Sequence, residues 1–307
     1  MIDLAKLQVF LHAAENQSFS KAAQQLHLSQ PTVSHHIKML EQELGATLFD
    51  RSSSEIKLTE AGRILLPRAR KLLRESIEIK QMMGSLDDRV VGHLRIACST
   101  TTGKYILPQF AARFHERHHN VRVYIRRCTA SHVVPRLLNE EANLGVVSYD
   151  ACSDDLDCQQ FFTDHIILIA PIGHPWTERN AIDPSDLLGM PMIIREQDSG
   201  TRQVMLAELG RHDIGLEDLD IFLEVGNAEA IVKTVEKGFG VSFVSRIAAE
   251  CAIERGTIVR IPINDVDLHR NIYMIRKKLH SANRALEAFW AFVHDPANMD
   301  LLRLAEA

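Results

Sequence analysis

Hydroxyl side chains recur in this chain where an apolar, strand-like run gives way to a helix-like one, a placement suited to holding an anion. In "IACSTTTGKYILP" Ser99, Thr100, Thr101 and Thr102 follow such a run and precede a helix. In "IRRCTASHVV" Thr129 and Ser131 do the same, and "VVSYD" ends another run at Ser148. "REQDSGTRQ" offers Ser199, Gly200 and Thr201, and "EVGNAEAIV" offers Asn227. The first turn of a helix leaves backbone N–H groups without partners and carries the positive end of the helix dipole, so hydroxyls gathered there complete a cradle for negative charge. Taken singly, each is explained by helix capping, the usual task of Ser, Thr and Asn. Their shared position at the carboxyl ends of predicted strands implies one polar cleft instead. With few fixed charges, to which Arg195 and Arg202 can add, that cleft fits a small oxyanion or the carboxylate of a small metabolite.

A second set of polar groups lies in "SQPTVSHHIKMLEQELGATLFDR", from Ser29 to Arg51. On a helical wheel Val33, Ile37, Leu40 and Leu44 fall on one face. The opposite face carries Pro31, His35, Lys38 and Gln42, flanked by Thr32, Ser34 and His36. These groups can hydrogen-bond base edges and phosphates, on an element whose width suits the major groove of duplex DNA.

Bond-breaking chemistry finds little support. There is no P-loop, no GxGxxG, no GxSxG and no clustered metal ligand spacing, and His165, His174 and His269 stand isolated. The five cysteines are odd in number and irregular in spacing, which argues against a secreted disulfide framework and lacks the paired spacing of a zinc site. No catalytic residue, metal or cofactor is expected, only a small-molecule effector. "FWAFV" from Phe289 to Val293 reads as the core of a final helix.

The elements that must hold these groups follow from periodicity. Leu4, Leu7, Phe10, Leu11 and Ala14 have helical spacing. Ser18 and Ser20 can cap a second helix, "KAAQQLHL", whose small Ala22 and Ala23 admit a close neighbour. Ser29 or Gln30 begins a third, with Pro31 in its first turn, where a missing N–H is harmless. Two short helices joined at "HLSQ" outline a helix-turn-helix. Gly45 ends the third helix, and β-prone segments around Leu48 and Ile56 to Leu58 flank the polar turn "RSSSE" as a small wing. Thr59 then caps a long helix to about Leu86, in which Leu65, Leu72, Ile79 and Leu86 recur every seven residues with Ala69, Ser76 and Met83 four positions on. That is a coiled-coil seam about 40 Å long, and it requires a partner helix.

Beyond Gly92, short β-rich runs alternate with helices, which predicts parallel sheets covered on both faces. About 200 residues of this texture make two α/β lobes, connected near Thr163 and Asp265. The predicted division is residues 1–59 for DNA binding, 60–88 for a dimerising helix, and 89–307 for a regulatory domain. Within the last, lobe I spans about 93–163 and 266–307, and lobe II about 164–265. No apolar run approaches membrane-spanning length and no leader pattern is visible, so a cytoplasmic protein without a membrane partner is expected. The net charge is -5, and the first 90 residues carry 12 Lys and Arg against 11 Asp and Glu. Phosphate contact must therefore come from local placement rather than bulk charge.

The run "FSKAAQQLHLSQPTVSHHIKMLEQELGATLFDR", with "KLTEAG" after it, resembles the N-terminal signature of LysR-type transcriptional regulators, and the remaining chain is similar to that family's effector domain. "CSTTTGKYILP" and "REQDSGTR" look most like the branch that governs sulfur assimilation and carbon dioxide fixation. The resemblance implies a winged helix-turn-helix and a linker helix that pairs antiparallel with a second subunit. It also implies a two-lobed regulatory domain like that of periplasmic binding proteins, tetramers on bent promoter DNA, and contact with RNA polymerase. Sulfate, sulfite or a phosphorylated or carboxylated intermediate becomes the expected effector. Gln30, Pro31, Thr32, Ser34 and His35 match positions that touch DNA in the family, and Arg51 would approach phosphate or the minor groove. His35 departs from the pattern, because arginine is common there. A bidentate grip on guanine is then replaced by one donor and one acceptor.

Two other functions compete. A thiol-based redox regulator would use Cys98 and Cys128, which close two predicted strands, or Cys152 and Cys158 in the acidic loop "ACSDDLDC", although acidic surroundings disfavour the reactive thiolate. A solute-binding protein would share the cleft but has no use for the N-terminal segment.

Overall fold

Asp3, Ser18 and Ser29 each precede a helix and accept a hydrogen bond from its first turn, at Ala5, Lys21 and Thr32. The helices so begun are α1 (Leu4–Asn16), α2 (Phe19–Leu26) and α3 (Gln30–Leu44), with Pro31 in the first turn of α3 and Gly45 ending it in the left-handed region at φ 64°. Of the two serines that could cap α2, Ser18 does so, and Ser20 lies inside the helix. Strands β1 (Phe49–Asp50) and β2 (Lys57–Leu58) pair antiparallel as a wing, and α4 (Glu60–Gly84) follows. The computed structural model describes residues 2–50, 56–84, 90–99, 101–278 and 283–306. Arg51, Leu86 and Thr100 lie outside the described residues. None of the described helices is long and apolar enough to cross a membrane.

The chain divides into Met1–Asp88 and Arg89–Ala307. In the first unit Leu7, Phe10, Ala13, Ala22, Val33, Ile37, Leu40, Leu48 and Ala69 form one buried core. Polar ties fix the wing to it. The Glu41 carboxylate accepts from the N–H groups of Leu48 (2.8 Å) and Phe49 (3.4 Å), and the Thr59 hydroxyl donates to the Thr47 carbonyl at 2.6 Å. Thr59 Oγ1 also caps α4 by accepting from Gly62 N–H at 3.1 Å.

The seven-residue seam of α4 is divided by its packing. Leu66, Ala69 and Leu73 turn toward the unit's own core, and Leu65 is half-buried at the border of that row. Leu65 is thus not a free seam position, as its spacing suggests, because the helix must first bury a face on α1. Outward remain Leu72 at 42 % and Ile79 at 59 % exposure, with Ile64 at 54 %.

In the second unit the strands are β3 (Gly92–Cys98), β4 (Val121–Arg127), β5 (Leu144–Val147), β6 (Leu156–Pro171), β7 (Met192–Arg195), β8 (Ile221–Val225), β9 (Val241–Ser245), β10 (Ile258–Ile261) and β11 (His269–Lys277). Helices α5 (Leu107–Arg117), α6 (Ala130–Leu138), α7 (Gly200–Leu209), α8 (Ala228–Glu236), α9 (Arg246–Glu254) and α10 (Arg284–Val293) cover them. A π-helical turn, Thr102–Ile106, leads into α5. Strand order runs β4-β3-β5-β11-β6-β9-β7-β8, with β10 also on β6.

The sheet is mixed, which corrects the expectation of parallel sheets. Neighbours β3, β4 and β5 are parallel, as are β7, β8 and β9, but β6 and β11 run antiparallel to their partners and to each other. Of the two expected connections, Thr163 lies inside β6 and Asp265 lies in the turn that precedes β11. The first half of β6, "LDCQQFFTD", is rich in polar residues and is strand because β11 supplies its backbone partners.

Alternation along the central strands feeds a core on each face of each lobe. Leu94, Ile96 and Met274 meet α5 and α10 through Phe110, Phe114, Phe289 and Phe292, while Ala97, Val147 and Ile275 meet α6 through Val133 and Leu137. In lobe II Ile166, Leu168 and Ile194 meet Met205 and Leu209 of α7. Ile167, Ile169 and Ile193 face α8 and α9.

Where β6 and β11 cross between lobes, Arg270 stands directly opposite Asp164. Its Nε and Nη2 donate to Asp164 Oδ2 at 3.0 and 2.8 Å, and the Ser245 hydroxyl of β9 donates to Oδ1 at 2.6 Å. Asp164 is 1 % exposed.

Two substitutions test this account. Gly62→Ala would place a methyl 2.3 Å from the Leu48 carbonyl oxygen, a backbone atom fixed by the wing. Overpacking of this kind should destabilise by about 2–3 kcal/mol, read as a lower denaturant midpoint for Met1–Asp88 with unchanged slope. Asp164→Ala leaves the Arg270 guanidinium buried and unpaired, and should cost about 3–5 kcal/mol in chemical unfolding of the regulatory unit.

Candidate functional site

On α3 the face opposite Val33, Ile37 and Leu40 is open to solvent. Gln30, Pro31, His35, Lys38 and Gln42 are exposed, and Thr32, Ser34 and His36 are partly so. Thr32 shares a 2.7 Å hydrogen bond with the cap Ser29, and the Gln30 amide donates to Ser34 Oγ at 3.3 Å. The first turn therefore arrives ordered, with its small polar groups pre-set. Beyond it, Lys38, Glu41, Asp50, Lys57 and Arg63 rim a groove between α3 and the wing. Arg51, whose expected contact is phosphate, is not among the described residues.

The second site is a cavity of about 230 Å³ between the two lobes of the regulatory unit. Lobe I contributes Ser99, Thr101, Thr129 and Ser148, and lobe II contributes Ser199, Gly200 and Thr201. Seven of the eleven residues expected from the strand ends thus line one cavity. Thr102 is buried in the π-helical turn and does not line the cavity. Asn227 also stands apart, since its Oδ1 accepts from Glu229 N–H at 2.9 Å and from Ala230 N–H at 3.4 Å, which is capping alone.

Neither Thr129 nor Ser199 caps its helix through its side chain. The first N–H groups of α6 and α7 are consequently left for another acceptor at the cavity, where Ala130, Gly200 and Thr201 lie. Arg270 completes the wall. Its Nε and Nη2 are engaged by Asp164, and among the described residues Nη1 has no hydrogen-bond partner. An ideal Cβ on Gly200 would lie 2.7 Å from that Nη1 and 2.6 Å from Ser148 Oγ, so glycine is what leaves the space open.

Fixed charge at the cavity is nearly balanced. Arg127, Arg270 and Asp198 all line it, and Arg195 forks onto Glu196 with Nε at 2.7 Å and Nη2 at 2.8 Å. Burial works to raise the Glu196 pKa, but the Arg195 hydrogen bonds and charge bring it below the ordinary carboxylate value. Arg202 is buried outside the cavity and ties Arg195 O (3.1 Å) to Glu224 (2.6 Å), a structural rather than a binding position. Arg270 and Arg127 escaped the sequence reading, because an arginine opening a strand and one closing a strand carry no local sign of what they face.

A clasp also joins the lobes. The Tyr105 hydroxyl donates to Glu229 Oε1 at 2.8 Å, and Lys104 pairs with the other carboxylate oxygen. The Lys104 hydrogen bond lowers the Glu229 pKa, while burial, then the bond to Glu229, raises that of Tyr105.

Cys98, Cys128 and Cys158 suit a redox role poorly. Burial pushes Cys98 up to about 12 and raises Cys128, and burial with a Cys152 hydrogen bond takes Cys158 up to about 12. Little thiolate is then available for oxidation at these three sulfurs.

Known proteins share both halves of this architecture. Residues 4–63 match the model for the bacterial regulatory helix-turn-helix protein, lysR family, and residues 87–297 match the LysR substrate binding domain. The chain is 32 % identical over 290 residues to an uncharacterized HTH-type transcriptional regulator of Methanocaldococcus jannaschii, covering 94 % of this chain and 98 % of the relative. It is 29 % identical over 298 residues to the RuBisCO operon transcriptional regulator of Allochromatium vinosum, covering 95 % of each. The regulatory domain of Synechocystis CcmR, solved in complex with 2-PG, superposes with a TM-score of 0.60 at 26 % identity, covering 66 % of this chain and 95 % of that one. With both family models matched and relatives aligned along nearly its whole length, the chain belongs to the LysR family of DNA-binding transcriptional regulators, with a helix-turn-helix followed by an effector-binding domain.

Proposed function

We propose that this regulator reads promoter DNA through the open face of α3 and is switched by a small anion held between its lobes. Gln30, Pro31, Thr32, Ser34, His35 and Lys38 meet base edges and phosphates in the major groove, with Arg51 on the neighbouring backbone. The exposed Leu72 and Ile79, continued by Leu86, pair α4 with a second copy, and dimers associate into tetramers. The protein works in the cytoplasm, and RNA polymerase is its partner at the promoter.

One observation carries the effector reading: the unpaired Nη1 of Arg270 stands beside two helix N-termini whose caps leave their N–H groups open. Such a wall is complementary to an oxyanion, carboxylate or phosphate, and the cavity volume limits it to a small one. Bound there, the anion touches both lobes and favours their closed arrangement by its greater affinity for it. Closure then alters how subunits space themselves on DNA, and with it the bend. The neighbour solved with 2-PG makes that compound, with sulfate and sulfite, the first to test.

In calorimetry on the full chain, one of these anions should release heat with one site per chain, and Gly200→Ala should weaken it at least ~10-fold by filling the cavity. Footprinting upstream of the protein's own gene should show a protected region that changes length when the anion is added. Heat only from uncharged ligands would overturn the effector class. For the reading face, His35→Ala should lower affinity for the cognate duplex roughly tenfold, about 1–2 kcal/mol, and leave scrambled duplex almost unchanged. Equal losses on both duplexes would remove His35 from that face.

A further inference from the structure

Outside the cleft, the loop between β5 and β6 and the start of β6 bring three metal-binding groups together. The carboxylate of Asp150 and the thiols of Cys152 and Cys158 have ligand atoms that all lie within 4.8 Å of one another. Backbone geometry sets this up. Asp150 Oδ1 accepts from Cys152 N–H at 2.9 Å, and the turn from Ser153 to Leu156, closed by hydrogen bonds of 3.5 and 3.3 Å, folds Cys152 back over the start of β6, where Cys158 stands. Cys158 is held in register opposite Ile275 of β11, so one ligand is fixed by the sheet and two by the loop.

We propose that Asp150, Cys152 and Cys158 form a binding site for a thiolate-preferring divalent cation of the Zn²⁺ class, with water in the fourth position. Four-coordinate zinc takes sulfur at about 2.3 Å and carboxylate oxygen at about 2.0–2.2 Å, which places ligand atoms some 3.3–3.8 Å apart, inside the spread seen here. Two sulfurs and one oxygen select such an ion over Mg²⁺ or Ca²⁺, which take oxygen alone. The surrounding charge agrees, since the segment from Asp150 to Cys158 holds four aspartates and no lysine or arginine. A disulfide would use the two sulfurs alone, whereas a cation uses all three groups. Cys152 and Asp150 are exposed, so an ion can enter directly. Because Ser148, two residues before Asp150, lines the anion cavity, the ion would also fix the end of β5 that carries it.

The test uses the reduced full-length protein, kept in a non-chelating phosphine, titrated with Co²⁺ and then with Zn²⁺. Intense near-ultraviolet absorption from thiolate-to-cobalt charge transfer should saturate at one equivalent and be bleached by Zn²⁺. Removing an outer-shell partner of a metal ligand already weakens affinity 10–100-fold, so Cys152→Ser and Cys158→Ser should each weaken binding at least ~100-fold and abolish that absorption, with Asp150→Asn weaker by at least ~10-fold. Ions held by surface histidines lack the thiolate band and cannot mimic it. A wild-type protein without the band, or a band that persists in both serine variants, overturns the proposal. Unchanged DNA binding by the variants confirms that they fold, and neither result depends on which effector the cleft takes.

Discussion

The buried pair between Asp164 and Arg270 is the constraint on which the regulatory half is built. Among the described residues only β6 and β11 run from one lobe to the other, and the pair locks them in register at the crossing. Removing two charges from water is expensive, and is tolerated only where each remaining donor and acceptor finds a partner. Here Ser245 satisfies the second carboxylate oxygen, so Asp164 ties three strands at one point. What is left over is one guanidinium nitrogen, directed at the cavity. The same pair that joins the lobes therefore presents a fixed cation to a ligand between them, and coupling of ligand to lobe arrangement follows from shared atoms rather than from a long pathway.

In the DNA-binding unit the corresponding constraint is backbone satisfaction. Each helix begins on a side chain that accepts from its first turn, and Glu41 turns from α3 to hold two N–H groups of the wing. Gly62 permits α4 to approach the Leu48 carbonyl closely enough for the wing to be pinned from below. Rigidity of this sort places the small groups of the α3 first turn in fixed positions relative to one another, which is what discrimination between base edges demands. With almost no excess positive charge in the first 90 residues, local positions matter more than attraction to DNA in general.

The cavity wall shows how an anion site arises without a surplus of cations. Arg195 is neutralised by Glu196, and Arg202 is directed to Glu224, so neither arginine is free for a ligand. Attraction is left to Arg270, Arg127 and the N–H groups of two helices. Dipoles fixed by the fold need no reorganisation when an anion enters, and hydroxyls from Ser99, Thr101, Thr129 and Ser148 can donate or accept as the ligand requires.

Much of this was legible in the residue order because it rests on short-range rules. Caps at Ser18, Ser29 and Thr59, the Pro31 and Gly45 boundaries, and the two-faced apolar runs of β6 and β9 are decided by neighbours a few positions away. So too was the gathering of hydroxyls at strand ends, since strand order alone brings such ends together. What sequence separation hid needed the tertiary structure. A local pattern cannot show that Asn227 is fully engaged by its own helix, that Leu65 borders a core shared with α1, or that polar "LDCQQFFTD" pairs with β11. Arg270 is 106 positions from the aspartate that orients it, and Cys152 meets Cys158 only because a turn and a strand register agree. Residue types and spacing determined which elements form and what chemistry each end can offer; long-range pairing decided which of those ends face one another, because the energy of a contact depends on proximity in space and not along the chain.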